Sequence, residues 1–112
     1  AAAISLNPDI SLGIDIERIR SFDNRDSFLR VALPEDDGIR SSDLSDKDII
    51  RMWTIKESFL KILGLGFAEN LRNVRILQDC FIYKGSRVDS LKRDITEFDG
   101  HMLSTVWGTL SL

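Results

Sequence analysis

The chain has 112 residues, which fits one domain around one modest hydrophobic core. Its apolar share of 43% and charged share of 29% are those of a soluble globular protein, and a net charge of -3 argues against a nucleic-acid binder, which carries a basic excess. No apolar run approaches the roughly 20 residues that span a bilayer, and no signal peptide is visible, so no membrane role is expected.

The chain opens Ala1-Ala2-Ala3-Ile4-Ser5-Leu6, already strand-like, which predicts a fragment or the loss of something upstream. Asn7-Pro8-Asp9 is turn-forming and joins this segment to a second strand over 10–17, giving an antiparallel hairpin. The second strand alternates, with Ile10, Leu12, Ile14 and Ile16 on one face and Ser11, Gly13, Asp15 and Glu17 on the other. Residues 24–33 read as a short helix capped by Asn24 and ended by Pro34, and 35–45 as a polar loop. The strongest helix runs over 46–63. Ser45 is its N-cap, Asp46 and Asp48 suit the positive end of its dipole, and Gly64 stops it. Strands follow over 72–77, 80–83, 93–98 and 101–111, with Asp99-Gly100 as a hairpin signal between the last two. There is no repeat or linker, so the expectation is a single α+β domain over 1–112: an antiparallel β-sheet packed against one long helix and a shorter one. Cys80 cannot form an internal disulfide, which is compatible with a cytoplasmic location, and its apolar context predicts an inert core thiol.

Two constellations carry chemistry. In Gly13-Ile14-Asp15-Ile16-Glu17 the two carboxylates share a strand face and repel unless a positive group lies between them. A hard divalent cation such as Mg²⁺ would serve, and Gly13 would let a ligand approach the backbone; an ordinary solvated face is the alternative. The second is Trp53-Thr54-Ile55-Lys56-Glu57-Ser58-Phe59-Leu60-Lys61 on the long helix. At about 100° per residue, Ile49, Met52, Trp53, Ile55, Phe59, Leu60, Ile62 and Leu63 fill one apolar arc, and Lys47, Arg51, Thr54 and Ser58 lie opposite. Lys56 falls inside the apolar arc, so it either snorkels out or meets an anion. Glu57 and Lys61 lie one turn apart at the edge of the arc, in line with Trp53, and would form a surface ion pair if they have no other duty.

Gly-Ile-Asp-Ile-Glu followed by Trp-x-x-Lys-Glu-Ser-x-x-Lys resembles the signature of the 4'-phosphopantetheinyl transferase superfamily, most of all the C-terminal half of its two-domain, peptide-synthetase-activating type. The resemblance spans residues 1–66 and implies a 4'-phosphopantetheinyl transferase-like half-domain, acting with a second half-domain or by self-association. It implies Mg²⁺, or Mn²⁺, on Asp15, Glu17 and Glu57, bridging the pyrophosphate of coenzyme A, the donor substrate. Lys61 would neutralise the transferring phosphate, and Lys56 would contact a phosphate or a structural anion. Glu57, or a water it holds, would take the proton from a serine of an acyl or peptidyl carrier protein, and 3',5'-ADP would leave. The alternative is a catalytically incomplete scaffold half that keeps the fold and the metal site. Two features depart from the family pattern. The His-Ser segment that two-domain members carry upstream is not in this chain. The only histidine, His101, sits beside the Asp99-Gly100 turn, where a structural or solvated role is expected. Arg18, Arg20, Arg25 and Arg30 are candidates for a basic surface facing an acidic carrier.

Overall fold

The structure, a computed structural model, describes residues 9–21, 44–64 and 70–109. Its elements in chain order are β1 (Ser11–Arg18), α1 (Asp46–Ile62), a 3₁₀ turn (Leu71–Asn73), β2 (Val74–Ile76), β3 (Phe81–Tyr83), β4 (Ser86–Val88), β5 (Leu91–Phe98) and β6 (His101–Gly108). The expected strand at 1–6, the short helix at 24–33 and most of the following loop lie outside the described residues, as do Arg25 and Arg30.

The strands form two antiparallel sheets of three, ordered β1-β6-β5 and β2-β3-β4. This is the expected α+β architecture with the β-structure divided in two. The Asp99-Gly100 hairpin forms as its dipeptide requires, with φ of 50° and 72°. The sequence reading missed β4 and the turn before it. Lys84-Gly85 has the same positive-φ pair, 49° and 83°, and was the available signal.

Helix α1 begins with a full capping box. The Asp48 amide donates to Ser45 Oγ (3.1 Å) and the Ser45 amide donates to Asp48 Oδ2 (3.2 Å). Hydrogen bonding of the Asp48 carboxyl to the Ser45 hydroxyl and amide holds it below its usual range. Gly64, at φ +73°, follows the helix end as predicted. The apolar arc packs on both sheets: Ile55, Phe59 and Leu60 meet Val74, Phe81 and Val88 on the small sheet and Leu91 and Val106 on the large one. The Phe59 and Phe81 rings stack with centroids 4.6 Å apart.

The expected polar side of α1 requires correction. Lys47 and Arg51 are exposed, but Thr54 and Ser58 are wholly buried. Each is small and bonds to main chain: Thr54 Oγ1 donates to the Ile50 carbonyl (2.5 Å), and Ser58 Oγ lies between the carbonyls of Thr54 (3.0 Å) and Ser104 (3.1 Å). The helix is therefore covered on a second side, by the large sheet.

The alternation of β1 is correct, but the face turned to the helix is the polar one. Gly13 and Asp15 are buried, whereas Leu12, Ile14 and Ile16 are half-buried. The cause is proximity. A Cβ on Gly13 would lie 2.1 Å from the Ser58 carbonyl oxygen and 3.0 Å from Ile62 Cγ1. Gly13 thus admits the helix backbone rather than a ligand, which corrects the expectation placed on it.

Arg93 of β5 fastens the two sheets together. Its guanidinium donates to the carbonyls of Leu77, Gln78 and Cys80 and lies 5.2 Å from the Phe81 ring centroid. Cys80 is free and buried, as expected. His101 Nδ1 lies 2.7 Å from the Asp99 carbonyl, a contact internal to the hairpin.

Candidate active site

Strand β1 and helix α1 lie side by side so that Asp15 and Glu17 meet the line Trp53, Glu57 and Lys61. Two residues along a strand and one turn of a helix cover similar distances, so the two series stay in step. Gly13 sets the separation at one end, against Ser58.

Lys61 does not close on Glu57, one turn away. Its ammonium donates to Asp15 Oδ1 (2.7 Å) and to the Ile14 carbonyl (3.0 Å). Glu57, 7% exposed, accepts instead from Trp53 Nε1 (3.2 Å). The Arg20 guanidinium lies 5.0 Å from the Trp53 ring centroid. Trp53 is therefore more than a core aromatic: it orients Glu57, and its place one turn before Glu57 was the sequence signal for this.

The electrostatics reflect three crowded carboxyls. Burial raises Glu17 from 4.5 to about 7, helped by a hydrogen bond to Asp15 and by repulsion from Asp15 and Glu57, against the attraction of Arg20. Burial also raises Glu57, with Asp15 adding to it, while the Trp53 hydrogen bond and Lys61 oppose the rise. Near neutrality Glu17 is thus partly protonated, and its proton can donate to Asp15.

Asp15, Glu17 and Glu57 are brought to one place but are not closed around a common point. Among the described residues no three His, Cys, Asp or Glu side chains form a ready metal cage. Lys61 holds Asp15 Oδ1 and Trp53 holds Glu57 Oε1. One observation fits a cation all the same: Asp15 Oδ2 is buried and has no hydrogen-bond donor. A proton on Glu17 can serve it, as can a hard cation, which would also relieve the repulsion that raises Glu17 and Glu57.

Lys56 does not snorkel. It is 1% exposed, and its ammonium donates to the Leu71 carbonyl (3.3 Å) in the 3₁₀ turn. It ties that turn to the helix.

Comparison with known proteins bears on the fold and the family. The chain is similar in structure to a holo-(acyl-carrier-protein) synthase from Bacillus anthracis str. Ames in complex with CoA (3',5'-ADP), with a TM-score of 0.59 and 20% identity, covering 90% of this chain and 96% of that one. No curated protein matches the sequence. A family model for the 4'-phosphopantetheinyl transferase superfamily matches residues 11–98, from the first residue of β1 to the last of β5, and the chain belongs to that superfamily.

Proposed function

We propose that this transferase moves the 4'-phosphopantetheine group from coenzyme A to a serine of an acyl or peptidyl carrier protein, in a reaction that depends on Mg²⁺ or Mn²⁺. The observation that supports this most is the meeting of Asp15, Glu17 and Glu57 with Lys61, around a buried carboxylate oxygen that lacks a donor. A divalent ion held by Asp15, Glu17 and Glu57 would supply charge neutralisation for the coenzyme A pyrophosphate.

The chain's own groups do the rest. Lys61 is 2.7 Å from Asp15 and half-exposed, so its ammonium can turn to a phosphate oxygen at the mouth of the site. Glu57 is buried and its carboxylate is oriented by the Trp53 indole, which fixes it at the site. It accepts the proton of the carrier serine as the serine oxygen bonds to the β-phosphorus. The bond from that phosphorus to the bridging pyrophosphate oxygen breaks, and 3',5'-ADP leaves. Such a transfer needs positioning and charge neutralisation more than covalent help from the protein. Buried Lys56 holds the turn at Leu71 to the helix that carries Glu57 and Lys61.

The reading extends to assembly and location. Leu12, Ile14 and Ile16 pair across β1 and β6 with Trp107, Thr105 and Leu103, making a half-buried, largely apolar face away from α1. A second half-domain or a second copy of the chain would cover it and complete the coenzyme A clamp. No described helix is long and apolar enough to cross a membrane. The free thiol of Cys80 suits the cytoplasm, where coenzyme A is available.

The test is transfer of labelled phosphopantetheine to an acyl carrier protein, with Mg²⁺ and with a chelator. Metal-dependent labelling of the carrier serine and release of 3',5'-ADP are expected. A folded chain, tested with its second half or as the self-assembled species, that binds coenzyme A but never labels a carrier would support the scaffold reading instead.

A further inference from the structure

Ser104 sits at the centre of the large sheet and is wholly buried. Its hydroxyl has no hydrogen-bond partner, and neither does Asp15 Oδ2. The two residues are direct partners in the β1–β6 register. Both point to the face under α1, so their Cβ atoms are separated by about 4.5–5.5 Å. On its other side Ser104 pairs with Ile95, which offers no polar group. Above it, the Ser58 and Thr54 hydroxyls are directed to main-chain carbonyls. A serine hydroxyl hydrogen turns about the Cβ–Oγ bond, χ1 has three staggered settings, and a buried hydroxyl is rarely left without an acceptor. Among the described residues, the acceptor atom without a donor that lies opposite Ser104 in the register is Asp15 Oδ2.

We propose that Ser104 is a positioning residue for the transfer reaction: its hydroxyl and Asp15 are not bonded in this structure, and when the divalent cation and coenzyme A bind, the hydroxyl turns to donate to the Asp15 carboxylate and holds it in the orientation that receives the cation. This rests on the metal-dependent reading above. As Lys61 turns from Asp15 to the phosphate, Asp15 loses the ammonium that fixes it. The hydrogen bond from Ser104 then keeps the carboxylate from swinging. Ligating carboxylates are commonly held this way by a neighbouring donor, and losing that donor weakens metal binding by about 10–100-fold.

The experiment measures Mn²⁺ binding by electron paramagnetic resonance, with and without coenzyme A, on wild type, Ser104→Ala and Ser104→Thr. Wild type is expected to bind Mn²⁺ more tightly with coenzyme A. Ser104→Ala should melt at or above the wild-type temperature without metal, since it removes an unpaired buried hydroxyl. It should bind Mn²⁺ about 10–100-fold more weakly in the presence of coenzyme A. Its Mg²⁺ requirement in the transfer assay should rise by the same factor, with the loss in the metal needed rather than in kcat. Ser104→Thr, which keeps the hydroxyl, should restore most of the affinity. If Ser104→Ala does not fold, Ser104→Cys, of similar shape and with a weaker donor, makes the same comparison. Wild-type Mn²⁺ affinity in the Ala variant would overturn the proposal, as would a Thr variant as weak as Ala. Wild type that binds no Mn²⁺ with coenzyme A would overturn the metal-dependent reading itself, a separate and recognisable result.

Discussion

At the scale of single residues, few cations among the described residues face the three carboxyls of the site. Lys61 shows this best, because it has two possible duties. Asp15 is 6% exposed, so removing its ammonium partner leaves a buried carboxylate poorly compensated. Lys61→Ala is expected to cost about 1–3 kcal/mol of stability, well above a surface ion pair but below a fully buried one, because Lys61 itself is half-exposed. If it also meets the transferring phosphate, transfer falls by about 10²-fold or more, and Lys61→Arg recovers only part of it. Melting and labelling assays on the same samples separate the effects; wild-type transfer by a folded Lys61→Ala protein removes Lys61 from the mechanism. Glu17 gives a pH prediction for the metal-free protein. Its folded pKa, about 7, lies above the unfolded 4.5, so the folded state binds the proton more tightly. The stability that this proton gives is complete below 4.5 and is lost as pH rises towards 7. Chemical denaturation across that window should show the decline, and Glu17→Gln should flatten it; equal pH slopes in the two proteins would contradict the assignment to Glu17.

At the scale of elements, what was legible in the sequence was periodicity and punctuation. The N-cap at Ser45, the stop at Gly64 and the Asp99-Gly100 hairpin are local devices, and each forms as read. What was not legible was the partner of each face. Hydropathy pointed to Ile14 and Ile16 as the buried side of β1 and to Thr54 and Ser58 as the solvated side of α1. The fold instead joins the small residues of both elements, because Gly13 and Ser58 allow an approach that larger side chains forbid. Asp15, Glu17, Glu57 and Lys61 were identifiable as a set, but the pairing of Lys61 with Asp15, and of Trp53 with Glu57, depends on that close approach. Gly13→Ala tests it. The new Cβ would collide with the Ser58 carbonyl, main chain that cannot rotate away, so α1 must shift. Overpacking of this kind costs about 1–3 kcal/mol or more, and the shift separates Asp15 from Lys61. Denaturant titration should show the loss, with transfer falling further than stability explains. A variant of wild-type stability and activity would mean that β1 and α1 are not in contact at Gly13.

At the scale of the whole molecule, α1 is held between two sheets, and Arg93 locks the far side by reaching three carbonyls of the β2–β3 connection. The large sheet uses one face for this core and presents Leu12, Ile14, Ile16, Leu103 and Trp107 on the other. These side chains are half-buried, and the part of them left exposed is apolar surface that a partner can cover. The proposed catalytic set lies on the opposite face of the same strand, so whatever covers Ile14 and Ile16 also stiffens the backbone that carries Asp15 and Glu17. Pairing and catalysis should therefore fail together. Replacing Ile14 with Lys places a charge on this face without touching the carboxyls. Sedimentation equilibrium should show wild type associating, with itself or with an added second half, and Ile14→Lys remaining apart. Transfer should fall in step with the unpaired fraction and recover at high protein concentration, by mass action. A wild-type chain that is monomeric at every concentration and fully active alone would contradict this, and would place the complete coenzyme site within a single copy.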